Sequence, residues 1–534
     1  MATIYQKNKQ SGVTYVYENE AYWDKEKQQS RAKRTLIGKL DPKTGDIIPT
    51  RPKKKAESAV TIARKRGPRP ITQVARRFYG ACALLDAIGR ETGVEADLKQ
   101  CFPDTYRQIL SIAYFLILEP EASLSRFSHW QRLHVHPYDA DIPSQRSSEL
   151  FQAIDEEGRM QFFTKQGRRR MGQEYWAFDI TSISSYSETL SQVKNGRNKE
   201  YDRLPQINLA LLFGEQSGLP FYYRKLPGNI TDVKTVKQLV REFDAMGYKN
   251  TRVLLDRGFY SQENIQHLFT HHQGFIIGVK LSLRFVQEVF TAEKPTLAVW
   301  SNLHTTFGVY GVTRTIRFEY SRKRPYKDDV VQENRRAYLH LFYDPEKAAN
   351  DQVALNTHLT KLHDELLNNE RKAYHERDYE RYFTVKTTPK RGLRIEPKDD
   401  VMAQAAEQHG YYALLSNTVK DPFEALSLYR SKDIVEKGFG NLKDRLSFRR
   451  MRVSSELSLN GKLFVQFIAL IYLSYVKKGM QDAGLFKQWT LQGLLDEIDS
   501  IELFEAPGHG RMVGEMTNKQ QEIYTALGFK PPSL

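Results

Sequence analysis

TRVLLDRGFYS, residues 251–261, is a short apolar run that ends on an acid. Val253, Leu254 and Leu255 show no polar alternation, which is the composition of a strand covered on both faces, as parallel strands are. Asp256 closes the run, and in open α/β sheets ligand sites gather at the carboxyl ends of such strands. Arg257, Gly258 and Phe259 follow at once, and the glycine leaves room for a ligand close to the backbone.

The neighbouring segments extend that reading in both directions. EYWAFDITSIS (174–184) reads as a strand, and QINLALLFGEQSGLPFYYRKLPGN (206–229) as two strands joined by a glycine-containing turn. TDVKTVKQLVREFDAMG (231–247) is an amphipathic helix with Gly247 as its stop signal. SQENIQHLFTHHQ (261–273) is a second helix, and GFIIGVK (274–280) a further strand. The order of strand, hairpin, helix, strand, helix, strand is that of an α/β core, with residues 173–280 as its first part.

From 281 to 409 that order breaks. LAVWSNLHTTFGVYGVTRTIRFEYSRKRP and RAYLHLFYDP are β-rich, and a long polar helix is expected near 346–381. We read 281–409 as a β-rich insertion, with the core resuming over 410–480 from GYYALLSNT onward. Ahead of the core, residues 1–50 alternate apolar and polar positions and form a small β region. Residues 51–71 are a basic linker, 72–172 have helical spacing, and 481–534 read as a helical tail. A helical domain before a catalytic core suits DNA binding.

Lys and Arg number 80 against 64 Asp and Glu, a formal net charge of +16. A globular chain this basic is shaped for a polyanion, nucleic acid foremost. Solubility alone is the plainer explanation of the same charge. RKRGPRP, with Arg64, Lys65, Arg66 and Arg69, has the arginine–glycine–proline character of hooks that lie in A·T-rich minor grooves. A charged linker has the same composition. Arg322, Lys323 and Arg324 are further candidate DNA contacts, and Trp300 is either a stacking group or part of the inserted sheet's packing.

Cys82 and Cys101, the only cysteines, offer neither a disulfide framework nor a zinc spacing. His129, His134 and His136 lack acidic or Cys neighbours at ligand spacing and read as packing or capping groups. MATIYQKNKQ has no apolar signal core, and the longest apolar run, Leu463–Tyr475, is short for a bilayer and reads as a buried helix. The expectation is a soluble, cytoplasmic protein with no membrane partner.

A third acid stands in YRSKDIVEKGFGNLKDRL (429–446). On one continuous helix Tyr429, Lys432, Glu436 and Lys443 would share a face, with cations one and two turns from the glutamate. Spacing of this kind is also common on solvated helices, and an Asp at a strand end is often a turn former. Taken together, however, Asp179 on a strand, Asp256 at a strand end and Glu436 on a basic helix are the hard oxygen donors that metal-assisted phosphoryl transfer needs.

The three segments resemble the DDE transposases of bacterial insertion sequences, closest to the group with a Y-x2-R-x3-E-x6-K signature and a β-rich insertion before the glutamate. Here the signature reads Tyr429, Lys432, Glu436, Lys443, with lysine where the group usually has arginine. That swap keeps the charge and loses the bidentate fork. FDITSIS, LLDRGFYS and PGNITD (227–232) match the group's other segments; Asp256 lies 77 positions after Asp179, and Glu436 lies 180 positions after Asp256.

The resemblance covers about 175–475 and implies an RNase H-like core. It implies that Asp179, Asp256 and Glu436 hold two Mg²⁺ ions, with Mn²⁺ able to substitute. Tyr429, Lys432 and Lys443 would position DNA phosphates, with help from Arg257. The implied partners are double-stranded DNA, as transposon ends and as target, and a second copy of the chain in a synaptic homodimer. A nuclease with the same core that cuts without joining, and a non-catalytic DNA-binding protein derived from a transposase, are the alternatives.

Overall fold

Alternation in the first fifty residues does produce antiparallel strands. The computed structural model describes residues 2–24, 27–50, 74–120, 122–185, 190–196, 204–323, 329–388, 392–446, 450–451, 455–506 and 510–533. It divides into two compact units, Met1–Ile71 and Thr72–Leu534. In the first, β1 (Ala2–Lys7), β2 (Thr14–Asp24), β3 (Gln29–Leu40) and β4 (Ile47–Ile48) form a four-stranded sheet in that order. Aromatic and β-branched residues populate the strands, as a pleated surface favours.

The second unit begins with β5 (Ala75–Phe78) and six helices: α1 (Gly80–Thr92), α2 (Val94–Cys101), α3 (Tyr106–Leu118), α4 (Phe127–Leu133), α5 (Ser144–Ala153) and α6 (Glu156–Arg168). The expected helical region is therefore present. Its apolar faces enter the same hydrophobic core as the sheet that follows, so it does not stand apart as a separate body.

The α/β region follows the order read from the sequence. It comprises β6 (Trp176–Ser185), β7 (Gln206–Gly214), β8 (Pro220–Pro227), α7 (Asp232–Ala245), β9 (Arg252–Leu255), α8 (Gln262–Thr270) and β10 (Gly274–Val279). β6, β7 and β8 pair antiparallel, and β9 and β10 run parallel to β6 on its other side. Gly247, at φ +72°, ends the turn after α7 as its spacing predicted.

Residues 281–409 differ from the expected insertion. After α9 (Arg284–Leu297) come β11 (Leu303–His304) and the long hairpin of β12 (Val309–Lys323) and β13 (Val330–Tyr343). β13 pairs with β16 (Tyr411–Ser416), and β16 with β10, so the hairpin lengthens the main sheet instead of building its own. The full order is β11-β12-β13-β16-β10-β9-β6-β7-β8, with β17 (Arg450–Met451) beside β6. A satellite is left over: α10 (Pro345–Leu367), α11 (Glu376–Tyr382), the two-stranded β14 (Phe383–Thr388) and β15 (Gly392–Pro397), and α12 (Asp399–Ala406). Leu362, Leu366, Tyr379, Tyr382 and Phe383 give it a small core of its own.

Beyond α13 (Pro422–Ser431) and α14 (Asp433–Gly440), α15 (Glu456–Asp482) carries the apolar run Leu463–Tyr475. At 27 residues α15 is long and apolar enough to cross a membrane, but 78% of its most apolar window is buried inside the protein. It packs against α3 and α5, as a core helix does. The last segment is not purely helical. Between α16 (Leu491–Asp499) and α17 (Asn518–Ala526) lie β18 (Glu502–Ala506) and β19 (Gly510–Val513), and β18 pairs with β5. This three-stranded sheet ties the two ends of the second unit together.

Candidate active site

Register brings the first two acids side by side. β6 and β9 are parallel, with Phe178 opposite Leu255. The next residue on each chain is an aspartate, Asp179 and Asp256, and adjacent strands lie ~4.8 Å apart. Asp179 stays within the strand because β7 continues to pair with it, opposite Leu211. Its carboxylate accepts the Ile180 amide N–H at 2.7 Å. Asp256 lies one residue past β9, where the chain enters the turn Arg257–Phe259.

Asp256 is well partnered. Tyr429 donates its hydroxyl to Oδ1 at 2.8 Å, and the Lys432 ammonium lies 3.2 Å from the same oxygen. Burial acts to raise the Asp256 pKa, but Lys432, the Tyr429 hydroxyl and the Arg257 backbone N–H outweigh it and hold the carboxyl below its ordinary value. Burial, and then the Asp256 carboxylate, push the Tyr429 hydroxyl well above its ordinary value, and Asp179 adds to that push. Tyr429 therefore stands protonated in the field of both aspartates.

Tyr429 is set in place by α13, which starts cleanly. The Asp421 carboxylate accepts the N–H groups of Phe423 and Glu424, and Pro422 occupies the first turn. The helix stops at Lys432, which caps both α13 and α14. The signature is thus carried on two helices and then a π-helical turn, Asn441–Arg445, not on one continuous helix. The single-face arrangement read from the spacing is corrected by this break. Tyr429 and Lys432 converge on Asp256, while Glu436 lies beyond the break on an exposed position of α14.

α14 nevertheless packs on the acidic strands, touching β6 and β7. Gly438 permits this, because a Cβ there would collide with the buried Phe213 ring of β7. Lys443 is half-buried in the π-helical turn. Among the described residues no group of three or more acids, histidines or cysteines is placed to hold a metal ion, so Glu436 is not gathered with the aspartate pair. The donors that fit a divalent ion here are the two adjacent carboxylates, with the Lys432 ammonium beside one of them.

A cleft of about 1470 Å³ opens at this edge of the sheet. Asp256, Arg257, Tyr429, Arg430 and Lys280 line it, together with the 228–233 segment. Asn208, on β7, holds that segment by donating to the carbonyls of Gly228 at 3.4 Å and Ile230 at 3.1 Å. This gives PGNITD a place in the site. Sequence reading did not single out Asn208, Lys280, Arg430 or Gly278. Gly278 on β10 is the crowded glycine: a Cβ there would lie 2.8 Å from the Tyr429 hydroxyl and 3.1 Å from the Arg257 nitrogen. Gly258, which the sequence pointed to, has only an ordinary contact at 3.5 Å. A glycine inside an apolar strand was the available signal for Gly278.

The remaining candidates fall elsewhere. Trp300 sits in a turn and is 78% exposed, so it does not pack into the sheet. Arg322 and Lys323 are backbone partners of Val331 and Val330 at the far end of the β12–β13 hairpin, and their side chains lie outside the described residues. Arg324, Arg64, Lys65, Arg66 and Arg69 also lie outside them. His134 bonds the Trp130 carbonyl and Asp499, and His136 bonds Ser111, so both are packing groups.

Comparison with curated proteins returned no match. Among solved structures, the cryo-EM structure of a piggyBac transposase synaptic complex with hairpin DNA aligns with a TM-score of 0.35 at 9% identity, over 74% of this chain and 70% of that one. The family described as "Transposase DDE domain" matches residues 176–472. Those residues run from the first position of β6 into α15, take in Asp179, Asp256 and Glu436, and make up more than half of the sequence. The chain belongs to the DDE transposase family.

Proposed function

We propose that the protein is the transposase of a bacterial insertion sequence, acting in the cytoplasm on the nucleoid, that binds terminal inverted repeats and then cuts and joins DNA strands. The observation that carries this reading is the pair of aspartates at matching register, with Tyr429 and Lys432 fixed on one of them. The layout of three antiparallel strands followed by two parallel ones, β8-β7-β6-β9-β10, supports an RNase H-like core. Asp179 and Asp256, with Glu436 as the third acid of the signature, would hold two Mg²⁺ or Mn²⁺ ions. Such ions supply a nucleophilic oxygen and neutralise phosphate charge.

The chain's own residues then do the positioning. Lys432 and Arg257 hold phosphate oxygens at the cleft, and Tyr429 keeps the Asp256 carboxylate oriented and ionised. Lys443 and the basic segments extend the grip on duplex DNA, and two copies synapse two ends. The decisive assay supplies pre-cut transposon ends with target DNA and Mg²⁺. Joined products are expected; cleavage of uncut ends without joining would make the protein a nuclease of the same core. The exposed position of Glu436 favours a second reading, a transposase-derived protein that binds without cutting. Duplex binding together with complete absence of Mg²⁺-dependent cleavage would favour it.

A further inference from the structure

The N-terminal sheet sorts its side chains by charge between its two faces. Alternation along β2 puts Glu18, Glu20, Tyr22 and Asp24 on one face and Tyr15, Tyr17, Asn19, Ala21 and Trp23 on the other. Cross-strand partners share a face. Lys33, opposite Glu20, and Arg31, 3.6 Å from Asp24, therefore lie on the first face, each beside an acid. On the second, Arg34 lies opposite Asn19 and Lys39 opposite Tyr15, over whose ring its ammonium sits at 5.7 Å. Leu36 lies opposite Tyr17, which also pairs with Ile4 of β1. All three strand acids are on the first face, and the second has none among its strand residues.

Among the described residues, that second face is also exposed. Trp23 is 62% exposed and Leu36 is 42% exposed. Among the described residues of this sheet only Val16 and Gly38 are buried, and no residue of it joins a hydrophobic cluster. A sheet this thin needs one face covered to be stable. The covering partner must accept cations and aromatic rings together and bring no cations of its own, which describes a polyanion with flat apolar edges.

We infer that the Tyr15–Tyr17–Trp23–Arg34–Lys39 face of the N-terminal sheet is a docking surface for double-stranded DNA. Arg34 and Lys39 meet phosphates, and Trp23 and Tyr17 rest on sugar and base edges, as sheets in DNA grooves do. This rests on the transposase reading and adds a second DNA contact remote from the acidic cleft in sequence.

The test titrates the full-length protein with a fluorescein-labelled mixed-sequence duplex over a range of salt. The Arg34→Ala/Lys39→Ala chain is expected to bind about tenfold more weakly, with its log–log salt slope flattened by about 1.8, two contacts' worth. Trp23→Ala should weaken binding several-fold while keeping the wild-type unfolding midpoint, because its side chain is exposed. Lys33→Ala, on the opposite face, should change neither affinity nor slope. Wild-type affinity and slope in the Trp23 and Arg34/Lys39 variants would overturn the assignment. So would a Trp23→Ala chain that loses only self-association in sedimentation, since the face would then cover another copy. If the wild-type chain itself fails to bind, the transposase reading falls as well; if it binds and the variants match it, this face alone falls.

Discussion

Asp256 sits between opposing influences. Burial favours its neutral form, whereas Lys432, Tyr429 and a backbone N–H favour the carboxylate and prevail. The stability this pairing contributes is fully present above the unfolded carboxyl value of ~3.9 and is lost as pH falls through the lower folded value. Asp256→Asn keeps the shape and removes the charge. We expect it to abolish Mg²⁺-dependent cleavage in a gel assay while duplex affinity, measured by anisotropy, stays within a small factor of wild type. Persisting cleavage would remove Asp256 from the chemistry. Tyr429→Phe removes one hydrogen bond to a half-exposed carboxylate, which costs about 1 kcal/mol in urea unfolding, and it should slow cleavage more than it weakens binding. Both aspartates were legible in the sequence as acids on or after apolar strands. Their pairing was not, because it depends on the β6–β9 register between residues 77 positions apart in the chain.

At the level of elements, α14 depends on glycine. Gly438→Ala would drive a methyl group into the Phe213 ring, lifting the helix that carries Glu436 from the sheet. Overpacking of this kind costs about 1–3 kcal/mol; we expect a lower denaturation midpoint together with loss of cleavage, and unchanged values in both would show that α14 tolerates the shift. The α/β order from β6 to β10 was readable because apolar strands, capped helices and Gly247 agree with one another. The break at Lys432 was not. Every residue around it is compatible with helix, and Lys432 keeps right-handed helical dihedrals at φ −56° and ψ −21°. The β12–β13 hairpin read correctly as strands, but its membership in the main sheet is set by β16, some seventy residues further on. β18 was missed for a similar reason: its partner β5 lies more than four hundred residues upstream.

Across the whole molecule, two buried histidines weaken the fold toward acid, while Asp86, pushed up to about 6 by burial, acts in the opposite direction. Burial lowers His136 and His340 to about 4, and each bonds a hydroxyl, Ser111 and Thr313 respectively. Between pH 6.5 and 4 the unfolded chain binds protons that the folded chain refuses, so stability falls as pH falls through that window. Each histidine is expected to remove about 2 kcal/mol on going from pH 7 to pH 5. His340→Gln should flatten the pH dependence of the urea midpoint, and an unaltered profile would rule this role out. The net charge of +16 predicts a second global property, DNA affinity that falls steeply with salt. A flat response would assign the charge to solubility. The central claim is that Asp179, Asp256 and Glu436 work as one metal-binding set, although the structure pairs only the first two. Its most direct test is Mn²⁺ binding to the full-length protein on pre-cut duplex ends, followed by electron paramagnetic resonance for Asp179→Asn, Asp256→Asn and Glu436→Gln. We expect each single change to release Mn²⁺ and stop strand transfer. Undiminished Mn²⁺ binding and strand transfer in Glu436→Gln would contradict the three-acid site.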